Sequence, residues 1–414
     1  MKQTLLYATL LILGRGFAVG EASNLGQLAE LTASDGAAND YFGTSIATSG
    51  NIVVVGAPGA NSDKGAVYVF IKPASGWSNM KQVLELTSPN SGEGDAFGSS
   101  VAVSGNTIAV GAPGHYLGRN QRTGAAYVAK LTGHGVTQMA ELTASDAADA
   151  ENFGQSVAVD GTTVAVGASG HNNFQGAAYL FTEPAMGWVN MTQTAELTPS
   201  TDVAQQMGAT ISVSGNTLVA GAWNDNGLAG AAYLFVEPGG GWVNATQTAE
   251  LTASDGQPSD DFARSSLSLN GNVVVVGAEC AHYGTRMCGP GVVYVFVEPP
   301  AGWTDMTETA QLTASDGLDG DGFGSSVSTG GSAILVGAFA ATVNGYVHQG
   351  TAYVYVEPKS GWRTTSDFYA KLTASDGAAG DEFGVSASSS GNTGVVGATG
   401  ANDYQGEAYV FGRP

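Results

Sequence analysis

LTASD, residues 31–35, is written near the start of the chain and again, intact or degraded, from Leu86, Leu142, Leu197, Leu251, Leu312 and Leu372, at steps of 54 to 61 residues. Each copy is followed by Phe-Gly or its relic: Phe42-Gly43, Phe97-Gly98, Phe153-Gly154, Met207-Gly208, Phe262-Ala263, Phe323-Gly324, Phe383-Gly384. A Gly-Ala step comes next (Gly56-Ala57 through Gly397-Ala398), then a segment such as Gly65-Ala66-Val67-Tyr68-Val69-Phe70. Seven copies at this period predict stacked supersecondary units, none of which can bury its apolar face alone.

Each unit parses into four strands. Strand A follows Phe-Gly, as in Ser99 to Val103; a Ser-Gly-Asn turn leads to strand B, Thr107 to Val110. Strand C is Gly176 to Phe181, and after a Glu-Pro-x-x-Gly-Trp turn strand D runs from Thr192 to Thr198. Gly and Asn in the A–B turn suit the positive φ of a tight hairpin. Strand A is built from Ser, Ala, Thr and Val, whereas strand C carries Tyr and Phe. Small residues inside and bulky ones outside fit radial blades, with strand B covered on both sides by neighbours. The expected fold is therefore all-β, a seven-bladed β-propeller of four-stranded antiparallel blades. Its first recognisable strand, Gln27 to Thr32, is a D strand without A, B or C, and the last unit stops after C at Phe411. The N-terminal strand is thus expected to complete the last blade, leaving no open edge.

Composition narrows the function. Charged residues make up 12% of the chain, the formal net charge is −22, and Gly accounts for 61 of 414 residues. That balance excludes nucleic acid and anionic membranes as natural partners, since phosphate binding needs clustered Lys and Arg. Residues 1–20 read as a signal peptide, with Lys2, an apolar run from Leu5 to Leu13 and small residues at Ala18 and Gly20. A secreted monomer without membrane insertion is expected. Cys280 and Cys288, the only cysteines, sit in one loop and suit a local disulfide, worth about 2–3 kcal/mol in the loop-entropy view. Asn190-Met191-Thr192 and Asn244-Ala245-Thr246 are glycosylation sequons at the same position of two repeats.

Phe-Gly, then Gly56-Ala57-Pro58 or Gly111-Ala112-Pro113, then Gly-Ala-x-Tyr-Val-Phe resembles the FG-GAP repeat of integrin α-chain propellers and their secreted microbial and algal relatives. The resemblance spans residues 26–414. It implies a recognition or adhesion propeller whose ligand docks on one face of the disc. It does not extend to the integrin calcium cage. The Asp-x-Asp-x-Asp-Gly segment expected between strands A and B is replaced here by the Ser-Gly-Asn turn, too poor in oxygen side chains.

A–B turns are short and near-identical, whereas B–C loops vary from Pro58–Lys64 to Pro113–Thr123, Glu279–Pro290 and Phe339–Gln349. Function concentrates on loops displayed by a rigid scaffold, so the B–C/D–A side is the candidate binding face. Its candidate ligand-binding residues are His115, Tyr116, Trp223, Asn224, Asp225, His282, Tyr283, Phe339 and Tyr346, aromatic and polar groups of the kind that anchor a protein or a sugar. Carboxylates two residues before Phe (Asp40, Asp95, Glu151, Asp260, Asp321, Asp381) recur too often for a single site and are expected to cap turn N–H groups. Asp316, Asp319 and Asp321 offer a weak Ca²⁺ site; no cofactor is required. The five histidines show no metal-ligand spacing, and no nucleophile motif appears. The expectation is a non-catalytic propeller that binds an extracellular protein or matrix component, with a glycan-binding propeller as the alternative and a polysaccharide hydrolase or lyase behind it.

Overall fold

The computed structural model describes residues 25–413 except 118–120, 134, 202, 204 and 282–287. The leader at residues 1–20 and the candidates His282 and Tyr283 lie outside the described residues. Seven small sheets, each of four or five strands, stand in a ring. Their A strands are Ser45–Ser49, Ser100–Ser104, Ser156–Asp160, Ile211–Ser214, Phe262–Asn270, Phe323–Gly330 and Phe383–Ser390. Each contacts the next, and the seventh contacts the first, so they enclose the axis. Strand B follows through a two-residue turn, from Ile52–Ala57 in blade 1 to Thr393–Ala398 in blade 7. Strand C runs from Ala66–Ile71 to Glu407–Gly412 in the same order.

The seam closes as expected. Gly26–Thr32 pairs antiparallel with Glu407–Gly412, Leu31 opposite Ala408 and Glu30 opposite Tyr409. The edge of blade 7 is thereby occupied by the first strand of the described residues. One boundary differs from the sequence reading. Strand D of blade 3 is Ala195–Thr198, while Met191–Thr192 pairs in parallel with Leu142 and Thr143 of blade 2. Met80–Lys81, Ala245–Thr246 and Met306–Thr307 make the same detour to a preceding blade. The residue before each detour explains it: Asn79, Asn190, Asn244 and Asp305 accept a hydrogen bond from the backbone N–H of Glu30, Glu141, Glu196 and Glu250, at 2.9 Å each. Repetition of the sequon asparagines thus follows from a bond that Asn79 and Asp305 also make outside any sequon.

The core lies between blades rather than within them: seven apolar clusters fill the seven junctions. The repeated motif is the device that locks each junction. A Cβ on Gly56 would lie 2.0 Å from the carbonyl oxygen of Gly98, the Phe-Gly glycine of the next blade, and the same holds at Gly111 against Gly154 at 1.9 Å. That carbonyl also accepts a hydrogen bond from the preceding A strand: Ser45 Oγ to Gly98 at 2.8 Å, Ser100 to Gly154 at 2.9 Å, and so on to Ser386 and Gly43 at 2.6 Å. The bond is present at all seven junctions, with Thr210 to Ala263 as the variant pair. The Phe packs in its own blade, Phe42 against Tyr68 and Phe70 at 5.5 and 6.1 Å. Met207 fills that place in blade 4 and is fully buried.

Blade 7 has one thin spot. Gly394 occupies the strand B position held elsewhere by Val53, Ile108, Val164, Leu218, Val274 and Ile334. Beside it lies a cleft of about 480 Å³ lined by Leu335, Val354, Leu372 and Phe411. A Cβ there would meet only Leu335 Cδ2, at 3.4 Å. Gly394→Val is therefore expected to stabilise the ring by about 1–2 kcal/mol, by apolar burial and by restricting the unfolded chain. A melting temperature equal to or below that of the parent would refute it.

Candidate functional site

D–A and B–C loops share one face, and backbone hydrogen bonds tie them across blades: Tyr41 N–H to Tyr404 O at 2.9 Å and Ala96 N–H to Asp63 O at 3.0 Å. The carboxylates before Phe cap the D–A turns. Asp40, Asp95, Glu151, Asp260, Asp321 and Asp381 each accept a bond from the backbone N–H three residues earlier, at 2.6 to 3.0 Å. Three B–C loops, Ala60–Asp63, His171–Phe174 and Ala401–Tyr404, are single left-handed turns. Each has three consecutive residues of positive φ, for example Asn172 at 48°, Asn173 at 57° and Phe174 at 66°. Asn and Asp tolerate this region better than other L-residues, and a closing bond such as Gly176 N–H to His171 O at 3.0 Å holds the turn.

Behind these loops every blade has a polar node centred on the strand C tyrosine (Tyr68, Tyr127, Tyr179, Tyr233, Tyr294, Tyr353, Tyr409), whose ring is buried. The aspartate of LTASD accepts the phenol proton, as from Tyr179 to Asp146 at 3.2 Å, Tyr294 to Asp255 at 2.9 Å and Tyr353 to Asp316 at 3.0 Å. Burial first, then the surrounding carboxylates, holds these phenols well above their ordinary range. The strand D residue opposite tyrosine sets the charge of the node: Glu196 faces Tyr179, Gln311 faces Tyr294 and Lys371 faces Tyr353.

The structure distributes the candidate residues unevenly. His115 is buried, not displayed: its Nδ1 lies 2.7 Å from Asp95 Oδ2 and its ring meets Tyr127 edge-on. Asp225 is likewise taken up inside its node, accepting from Tyr233 and, at 3.1 Å, from Gln205. Asn224 N–H is bonded to Gln205 O at 3.2 Å. Phe339 is half-buried, its Cε1 3.0 Å from where a Cβ on Gly322 would stand. Tyr116 and Tyr346 are exposed. Trp223 is half-buried, with the Arg264 guanidinium 4.8 Å from its ring centroid. Trp223, Leu228, Pro258, Ser259, Asp261, Arg264 and the Cys280–Cys288 disulfide enclose a cleft of about 430 Å³ between blades 4 and 5. The disulfide is formed as the spacing suggested.

Of Asp316, Asp319 and Asp321, expected as a weak Ca²⁺ site, two are engaged within the protein. Lys371 Nζ stands 2.6 Å from Asp316 Oδ2, so the protein supplies its own cation; burial alone would raise that carboxyl, and the lysine bond holds it below its usual range. Asp321 Oδ2 is engaged by Leu318 N–H at 2.9 Å. Among the described residues the ligating groups that converge are instead Asp146–His171–Glu196 and Glu30–Asp376–Glu407.

Six segments, residues 25–70, 80–129, 136–181, 245–296, 306–355 and 367–411, match the FG-GAP repeat. The chain belongs to the FG-GAP repeat family. The longest unmatched stretch, 182–244, holds strands A to C of the blade that carries Met207, and the structure gives this FG-GAP propeller a seventh blade there all the same. A comparison with curated proteins gave no match. FG-GAP propellers are typical of non-catalytic recognition proteins. The axial cavity here, about 310 Å³, is lined mainly by Ala, Val, Ser and Thr; Asp160 is its one charged lining residue and is bonded to Gly215 N–H at 2.7 Å. No helix among the described residues is long and apolar enough to cross a membrane.

Sequence reasoning missed Tyr41, Phe174 and Tyr404. All three are exposed on the loop face, and the Tyr41 and Tyr404 rings meet at 5.6 Å across the junction of blades 7 and 1. A signal was present, since each is the residue that ends or follows a run of Asn and Asp, where left-handed turns turn a side chain outward.

Proposed function

We propose that this FG-GAP propeller is a secreted, non-catalytic recognition module that binds an extracellular protein or matrix component through its B–C/D–A face. One observation carries the reading. Of six exposed aromatic side chains among the described residues, five (Tyr41, Tyr116, Phe174, Tyr346, Tyr404) belong to loops of this face. Exposed aromatic rings on a rigid frame are the usual anchors of a protein interface. The chain's net charge of −22 favours a partner with a basic surface. The glycan reading is weaker because Arg264 already lies over the Trp223 ring, the residue best suited to stack on a sugar.

The test is binding of the purified chain to a panel of extracellular-matrix proteins and to a glycan array. Tyr41→Ser with Tyr404→Ser is expected to weaken the protein interaction by about 2 kcal/mol or more, the scale of an interface hot spot. Val243→Ser, in an exposed C–D turn of the opposite face, should leave it unchanged. Equal losses from both, or binding confined to glycans and abolished by Trp223→Ala, would overturn the proposal.

A further inference from the structure

The polar node of blade 3 differs from the other six in combining an imidazole with three carboxylates. His171, the first residue of a left-handed turn, points its ring into the node. Its Nδ1 lies 3.0 Å from Glu151 Oε1, and the other oxygen of Glu151 is held by Ala148 N–H at 3.0 Å. Glu151 is buried. A proton on Nδ1 shared with Glu151 would leave the Nε2 lone pair toward Glu196 and Asp146, the arrangement by which a carboxylate orients a metal-ligating histidine; Tyr179 OH also lies 3.1 Å from Nδ1. Nε2 is 3.4 Å from Glu196 Oε1 and 3.9 Å from Asp146 Oδ2. Tyr179 OH donates to Asp146 at 3.2 Å and so fixes the second carboxylate.

We propose that this node is a zinc site with His171 Nε2, Asp146 and Glu196 as its three protein ligands and water as the fourth. Tetrahedral bonds of about 2.0–2.2 Å require donor atoms about 3.3–3.5 Å apart. Of the three separations, His171 to Glu196 at 3.4 Å meets that already, His171 to Asp146 at 3.9 Å exceeds it by about half an ångström, and the third, Asp146 to Glu196, is within 4.8 Å, so the partly exposed Asp146 is the ligand that must move. Three carboxylates around one imidazole concentrate negative charge that a divalent cation would offset. The nitrogen donor selects zinc or a similar transition ion over calcium. Asp146, whose side chain is 39% exposed, gives solvent access for entry and for the water ligand.

Blade 2 supplies an internal comparison. His115 repeats His171, with Nδ1 on Asp95 and Nε2 3.5 Å from Glu141 Oε1. Asn90, however, stands where blade 3 has Asp146, and its amide donates to Glu141 at 3.3 Å. A donor group there replaces a ligand and occupies the remaining carboxylate. The node of blade 2 should therefore not take the ion.

The experiment is calorimetric titration of zinc chloride into the full chain, stripped with chelator and held at about pH 7.5, with elemental analysis of the dialysed product. One zinc per chain is expected. His171→Asn and Asp146→Asn should abolish uptake, and Glu151→Gln, which alters both the orienting bond to His171 and the cap on Ala148 N–H, should weaken it about 10–100-fold in chains that keep the parent fold. Asn90→Asp should add a second equivalent, a gain that damage to the fold cannot mimic. Absence of uptake by the parent chain, meaning an imidazolium held by the three carboxylates, overturns the assignment. So does unchanged uptake by folded His171→Asn or Asp146→Asn chains, as judged by circular dichroism.

Discussion

A Gly111→Ala chain is expected to lose about 3 kcal/mol or more of stability, for a single methyl group added to a β-strand. The new Cβ would stand 1.9 Å from Gly154 O and 2.3 Å from Ser100 Oγ. Neither neighbour can swing aside, because Gly154 O is backbone of the next blade and Ser100 Oγ is bonded to it at 2.9 Å. The blades must separate at that junction, with loss of the hydroxyl bond and of packing on both sides. Gly105→Ala is the control. Gly105, in the A–B turn of the same blade, has φ +57° and nothing within 4 Å of a Cβ. Its cost is backbone strain alone, about 1–2 kcal/mol. Urea and thermal denaturation distinguish the two, and equal losses would show that the junction is looser than these distances imply.

Removal of residues 26–32 is expected to have the second large effect. Leu31 and Ala29 are buried between blades 7 and 1 together with Phe42, Val53, Tyr68 and Val410. Without the strand that bears them, Glu407–Gly412 becomes an unpaired apolar edge, open to pairing with other chains. Leu31→Ala alone should cost about 2–5 kcal/mol, the range for truncating a buried leucine; the deletion should cost more and favour aggregation. Melting at the parent temperature after deletion would mean that the ring does not depend on its seam.

Much of this was legible in the sequence because the motif is itself the junction. Phe-Gly of one blade lies on Gly-Ala of the blade before, so stacking blades spell both or close relics of them, as Phe262-Ala263 does in blade 5. Even blade 4, with Met207 for Phe, keeps Gly208 and Gly221. The seam was legible because a strand D without its own A, B and C has one place to go. Harder to read was anything joining positions about one repeat apart. The fifth strands arise from bonds such as Asn190 to Glu141, and nothing near Met191 in sequence announces them. Exposure was harder still. His115 and Tyr116 are adjacent, yet Asp95 draws one ring inward and leaves the other in solvent. The node of blade 3 gathers residues from two loops and two strands, so its histidine showed no recognisable ligand spacing along the chain.

The pairing of Gly26–Thr32 with Glu407–Gly412 also sets an order of events during synthesis. Gly26–Thr32 must wait, unpartnered, until the six intervening blades and Glu407–Gly412 have been made. Joining such distant segments is not costly at equilibrium, since each doubling of the intervening length adds only about 0.6 kcal/mol. The delay is kinetic: a nascent arc of blades presents two adhesive rims at once, and contacts so remote form late. Both rims stay open until Glu407–Gly412 has emerged and can meet Gly26–Thr32.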